Sequence, residues 1–150
     1  MPTNSDFSEL LSALHESQVK YLVIGGYAVM LYTEPRFTKD LDVWVEPTPE
    51  NAHRVHAALA RFGAPLAGVG PADFSRPGLF YQMGRPPVRV DILTSVTGLE
   101  FADAWPRRVE KDLGGVRALF ISRDDLIRVK AALGRPLDLI DVEALKKASA

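Results

Sequence analysis

The chain has 150 residues, 18 of them Lys or Arg and 19 Asp or Glu, for a formal net charge of −1, with 47% hydrophobic and 25% charged side chains. That composition suits about one folded domain, and it excludes both a disordered chain and a generally basic protein that coats nucleic acid. No cysteine is present, which removes disulfides, thiolate metal sites, iron–sulfur clusters and cysteine nucleophiles together, and 3 histidines leave little room for zinc.

Phe7, Leu10, Leu11 and Leu14 recur at helical spacing behind the capping residues Asn4, Ser5 and Asp6, which predicts a short amphipathic helix. Met1 to Asp6 lacks the pattern of a signal peptide, and no apolar run approaches the roughly 20 residues of a membrane span. A cytoplasmic chain with no membrane partner is therefore the default expectation. Tyr21 to Ile24 is a continuous apolar run that suits a strand buried on both faces, stopping at Gly25 and Gly26; Tyr27 to Tyr32 follows as a helix.

From Asp40 to Val45 the residues alternate, with Leu41, Val43 and Val45 on one face and Asp40, Asp42 and Trp44 on the other. Thr48 as cap and Pro49 at the first helical position open a helix with Ala52, Val55, Leu59 and Phe62 as its buried stripe, and Gly63 ends it. Ala64 to Pro87 is rich in glycine and proline and reads as loops around a short strand near Leu79 to Gln82. Val88, Val90 and Ile92 alternate with Arg89, Asp91 and Leu93 in a further strand whose acid lies opposite its apolar set.

Arg107 to Lys111 and Val116 to Ile121 read as two strands turning at Gly114 and Gly115. Ser122 and Asp125 resemble a capping box for a helix ended by Gly134 and Pro136, with Leu126, Val129 and Leu133 facing inward. A last helix, from Leu137 to about Lys147, is expected to turn Leu137, Ile140 and Ala144 inward. No internal repeat is present, so residues 1–150 are expected to form one domain, with its C-terminal helices starting at about residue 122. Interleaved strands and helices predict an α/β (α+β) class with a single mixed β-sheet flanked by helices.

Asp40 and Asp42 project from one face of a strand, with α-carbons about 7 Å apart. Unpaired, they repel; a divalent cation removes that penalty, and hard oxygen ligands suit magnesium. If the strand carrying Asp91 is a neighbour, three acids converge, an arrangement able to hold two ions about 3.5–4 Å apart for phosphoryl or nucleotidyl transfer. The alternative is three solvated face residues. Gly25 and Gly26 end a buried strand at a helix start, where free amides attract phosphate, although a tight turn explains a glycine pair as well.

In order, Gly25, Gly26, a short helix, Arg36, Thr38, Asp40, Asp42 and then Asp91 within Val-Asp-Ile-Leu resemble the nucleotidyltransferase superfamily with the DNA polymerase beta-like fold. In that superfamily a Gly-Gly or Gly-Ser strand end, an acid-x-acid strand and a third acid build the active site. The Arg-x-Thr-x-Asp-x-Asp string is similar to that of small prokaryotic members forming the toxin arm of abortive-infection and toxin–antitoxin systems. Gly26 stands where many relatives have a serine that binds triphosphate.

The resemblance implies magnesium-dependent transfer of a nucleoside monophosphate from a nucleoside triphosphate to an acceptor hydroxyl, with release of pyrophosphate. Asp40, Asp42 and Asp91 would be catalytic and bind the metal, two ions in all. Gly25, Gly26, Arg36, Thr38 and Lys130 would bind the nucleotide. For Lys130 the residues leave two readings open, a phosphate contact or an ion pair with Asp141. The acceptor class, whether RNA, protein or small molecule, and a partner protein stay open, and a competing reading is a catalytically silent binding module of the same fold. His53 and His56, three apart on a helix, read as a solvated pair rather than a metal site; Arg107 and Arg108 read as surface residues, and Trp44 and Trp105 as partial core.

Overall fold

The computed structural model describes residues 5–35, 40–85 and 88–148. Helix α1 (Ser5–Glu16) leads to strand β1 (Tyr21–Ile24), helix α2 (Gly25–Tyr32), strand β2 (Asp40–Val45) and helix α3 (Pro49–Phe62). After a 3₁₀ turn at Pro71–Ser75 come β3 (Phe80–Arg85), β4 (Val88–Leu93) and the one-turn helix α4 (Phe101–Ala104). A second 3₁₀ turn (Trp105–Arg107), β5 (Val109–Leu113), β6 (Val116–Phe120), α5 (Arg123–Leu133) and α6 (Pro136–Lys147) complete the chain.

The strands form one mixed sheet in the order β3-β4-β2-β1-β6-β5. β1 runs antiparallel to β2 and parallel to β6, β2 parallel to β4, and the hairpins β3–β4 and β5–β6 close the two edges. All four residues of the inner strand β1 are buried, which is why it reads as an unbroken apolar run. At one edge, Glu110, Lys111 and Asp112 of β5 are exposed, and such charges discourage pairing with another chain. Among the described residues no helix is long and apolar enough to cross a membrane.

Local chemistry sets several boundaries as expected. The Thr48 hydroxyl accepts from the Asn51 amide, Pro49 starts α3, and Gly63 ends it at φ 95°. Phe7, Leu10, Leu11 and Leu14 of α1 are fully buried, each contributing about 1.5–3 kcal/mol of hydrophobic stabilisation. Asn51 does more than the α3 stripe foretold. Its side chain accepts from the Lys20 amide at 2.8 Å and donates to the carbonyls of Lys20 and Glu46 at 3.0 and 2.9 Å. It thereby clamps the start of β1 to the end of β2.

Other expectations are corrected. α2 begins at Gly25 rather than Tyr27, and the strand expected at Leu79 to Gln82 runs from Phe80 to Arg85, where pairing with β4 extends it. Arg107 belongs to a 3₁₀ turn, not a strand, and is no free surface residue. Its Nε and Nη2 donate to the two oxygens of Asp125, both at 2.9 Å, and that carboxylate is 1% exposed. The Ser122 side chain does accept from the Asp125 amide, but Asp125 spends its own carboxylate on Arg107. Trp44 is full core, edge-to-face with Phe101 at 5.1 Å, while half-buried Trp105 stacks on Phe101 beneath the Arg108 guanidinium. Half-buried His56 meets the Val69 carbonyl at 3.0 Å, whereas His53 is exposed.

The largest correction concerns α6. Its inward residues are Asp138, Asp141, Val142 and Leu145, whereas Leu137, Leu139 and Ile140 are exposed, as is Leu133 at the end of α5. The helix turns two acids inward because cations meet them there, a pairing no hydrophobic pattern reports.

Candidate active site

β2 lies between β1 and β4, and the registers pair Asp42 with Ile24 on one side and with Asp91 on the other. The same β2–β4 register sets Asp40 opposite Arg89. Since residues two apart share a face, Asp40, Asp42, Arg89 and Asp91 form one patch at the point where β1 gives way to α2.

Gly25 is the hinge of that patch. Its φ of +69° disfavours any residue with a β-carbon, and a β-carbon there would collide with the Asp42 carboxylate. Ile24, the residue preceding α2, supplies no side-chain cap, and the first turn of the helix contains no acid. Gly26 sits half-buried within that turn. The backbone thus meets the condition for anion binding at a helix start with no acidic side chain in the first turn.

Asp42 shares a hydrogen bond with Asp91, and its pKa is pushed up to about 7. Burial is the largest cause, followed by the charge of Asp91, the hydrogen bond between the two and the charge of Asp40; Lys130 opposes them. A cation beside Asp42 would compete with the proton that this raised value retains near neutral pH.

Asp91 is buried, and its donors are specific. Gln82, its cross-strand partner on β3, donates to Oδ1 at 3.1 Å. Arg89 donates through Nε to Oδ1 and through Nη2 to Oδ2, both at 3.2 Å, and its Nη2 lies 3.6 Å from Asp40 Oδ2. Asp42 and Asp91 therefore meet directly, whereas Asp40 is joined to Asp91 through Arg89. Among the described residues no group of three or more His, Asp or Glu side chains is placed to hold a metal ion as it stands. Sequence reasoning missed Arg89 and Gln82 as members of the site; the i, i+2 spacing of Arg89 and Asp91 was the available signal.

Lys130, on α5, has its Nζ 3.2 Å from Asp141 Oδ2 and 3.4 Å from Asp138 Oδ1. The ion pair with Asp141 is present, with Asp138 as a second partner that the sequence reading did not assign. Arg135 also grips Asp138, its Nε 2.6 Å from Oδ2, and so holds that carboxyl below its usual range. Because Lys130 lowers the Asp42 pKa, its charge acts on the acid patch as well. Arg36 and Thr38 lie outside the described residues.

This fold is shared with solved nucleotidyltransferases. A lincosamide antibiotic adenylyltransferase, LnuA, determined with lincomycin bound, superposes with a TM-score of 0.62 at 15% identity, covering 98% of each chain. TM1012 of Thermotoga maritima, assigned as a nucleotidyltransferase, gives 0.63 at 16% identity over 94% of this chain and 88% of that one. ANT(2")-Ia in complex with adenylyl-2"-tobramycin gives 0.60 at 14%, over 94% and 86%. Among curated proteins none matches the sequence. The model of the family described as "Nucleotidyltransferase of unknown function (DUF6036)" matches residues 4–147. The chain belongs to that family and is an enzyme of the nucleotidyltransferase class.

Proposed function

We propose that the enzyme is magnesium-dependent and moves a nucleoside monophosphate from a nucleoside triphosphate to an acceptor hydroxyl, releasing pyrophosphate. The observation carrying this reading is the direct contact of Asp42 with Asp91 beside Gly25 at the start of α2. An all-oxygen donor pair short of positive charge fits magnesium, which is typically held by one or two carboxylates plus substrate phosphates. Asp42 and Asp91 would hold the metal, with Asp40 alongside. Two ions bound there would supply charge stabilisation for the attacking and leaving oxygens.

The protein's own groups carry the rest. The Gly25 and Gly26 amides and Lys130 bind the triphosphate, and Arg36 and Thr38 join them through the resemblance alone. The acceptor oxygen attacks the α-phosphorus and its proton passes to Asp91. The bond from phosphorus to the bridging oxygen breaks, and pyrophosphate leaves with that electron pair.

The acceptor proposed is a small hydroxyl-bearing molecule. Support comes from two structural neighbours, one an antibiotic adenylyltransferase bound to lincomycin and one in complex with adenylylated tobramycin, and from a net charge of −1, which gives no general attraction to RNA. The cytoplasmic and toxin–antitoxin settings rest on composition and on the Arg36 to Asp42 string.

The test titrates each labelled nucleoside triphosphate with magnesium and follows pyrophosphate release with lincosamides, aminoglycosides, RNA or protein extract as acceptor. Label transfer to a small molecule that disappears in Asp42→Ala and Asp91→Ala is expected. Transfer retained in Asp40→Ala, Asp42→Ala and Asp91→Ala overturns the assignment, and absence of metal-dependent nucleotide binding favours a silent module.

A further inference from the structure

We propose that Arg89 is the internal counter-ion of the acid patch, holding Asp40 and Asp91 in the metal-free enzyme and yielding Asp91 when a divalent cation binds. This rests on reading the patch as a metal-binding centre.

Backbone register, not a chance rotamer, puts the guanidinium there. Arg89 precedes Asp91 by two residues on β4, and β2 places Asp40 directly across from it. Its fork takes both Asp91 oxygens, at 3.2 Å each, and Gln82 adds a donor to Oδ1. These three donors take up most of the roughly four acceptor sites of Asp91, so a metal that claims an Asp91 oxygen competes with them.

Arg89 is the donor able to leave. Its side chain is 33% exposed, against 6% for that of Asp91, and its contact with Asp40, at 3.6 Å, is the longer one. Moving it outward breaks no element of the sheet, whereas Gln82 carries only a neutral amide that does not oppose a cation. Lys130 is not equivalent, because Asp138 and Asp141 already hold its ammonium. A guanidinium and a divalent cation on the same carboxylate repel each other, so each weakens the other's hold.

The test is Mn²⁺ binding to nucleotide-free protein, read by paramagnetic resonance of the free ion, in wild type, Arg89→Lys, Arg89→Gln and the control Asp42→Asn. Removal of the charge in Arg89→Gln is expected to tighten Mn²⁺ binding by about tenfold or more, with Arg89→Lys near wild type and Asp42→Asn weak. Arg89→Gln should also melt lower than wild type in chelator and gain more on adding Mn²⁺.

If Arg89→Gln does not fold without metal, the wild type supplies the readout. The Arg89 Nε–H resonance, assigned by its absence in Arg89→Lys, should move on saturation with Mg²⁺. Wild type binding Mn²⁺ no more weakly than Arg89→Gln, or an Nε–H signal unmoved by bound Mg²⁺, overturns the proposal and leaves the metal centre standing. No binding in any variant overturns both.

Discussion

The Asp42 carboxylate occupies the space beside Gly25 that a β-carbon would need, so the strand end and the acid are fitted to one another. Gly25→Ala therefore adds a left-handed strain of about 1–2 kcal/mol to a collision that displaces Asp42. The expected result is a lowered melting temperature together with loss of metal-dependent nucleotide binding. Gly26→Ser, inside α2, should keep the fold and bind nucleotide at least as well as wild type; isothermal titration of both variants checks the contrast.

The raised pKa of Asp42 makes stability depend on pH in a definite sense. Its folded value of about 7 lies above the ordinary 3.8, so between those limits the folded state binds more protons than the unfolded state. Stability assignable to Asp42 is thus fully present below about pH 4 and is lost as pH rises through 7, by at most about 4 kcal/mol for a shift of roughly 3 units. Denaturant melts in chelator should show a decline from pH 5 to 8. Asp42→Asn flattens it, and magnesium restores stability to the wild type at pH 8.

Lys130 serves two partners, and substitutions separate its roles. Lys130→Met is expected to weaken nucleotide binding by about tenfold through loss of a charge-assisted phosphate contact. Asp141→Asn leaves Lys130 its second carboxylate, Asp138, and should weaken binding far less. Equal losses in calorimetric titrations of the two variants would assign Lys130 to the ion pair alone.

The Asn51 clamp offers a stability test away from the acids. Asn51→Leu removes three hydrogen bonds from the backbone of Lys20 and Glu46 and should cost about 2–3 kcal/mol by denaturant titration. Mn²⁺ affinity of the folded fraction should stay within about twofold of wild type, because distant sites act independently.

Much of this architecture is legible in local chemistry. Thr48, Pro49 and Gly63 delimit α3 because capping acts within a few residues, and Asp40 to Val45 declares its faces by alternation. What escapes such reading depends on partners remote in the chain. The pairing of Asp42 with Asp91 is a matter of register between β2 and β4, and Gln82 enters only once the β3–β4 hairpin is aligned. Arg107 looked like a surface residue because the carboxylate it neutralises, Asp125, sits on another element. α6 misled for a related reason, since its ion pairs outweigh the orientation that Leu137, Ile140 and Ala144 suggest.

That inverted helix sets the order in which the molecule comes apart. Held by Lys130 and Arg135 near one end, by Arg123 on the Leu145 and Ala148 carbonyls near the other, and by buried Val142 and Leu145 between, α6 is seated by charge and hydrogen bonding as well as by apolar burial. Its amides should exchange with solvent ahead of those of β1 and β2. Each such excursion would release Lys130, so on the proposed reading the opening of α6 would set how often the ammonium is free to meet an incoming triphosphate.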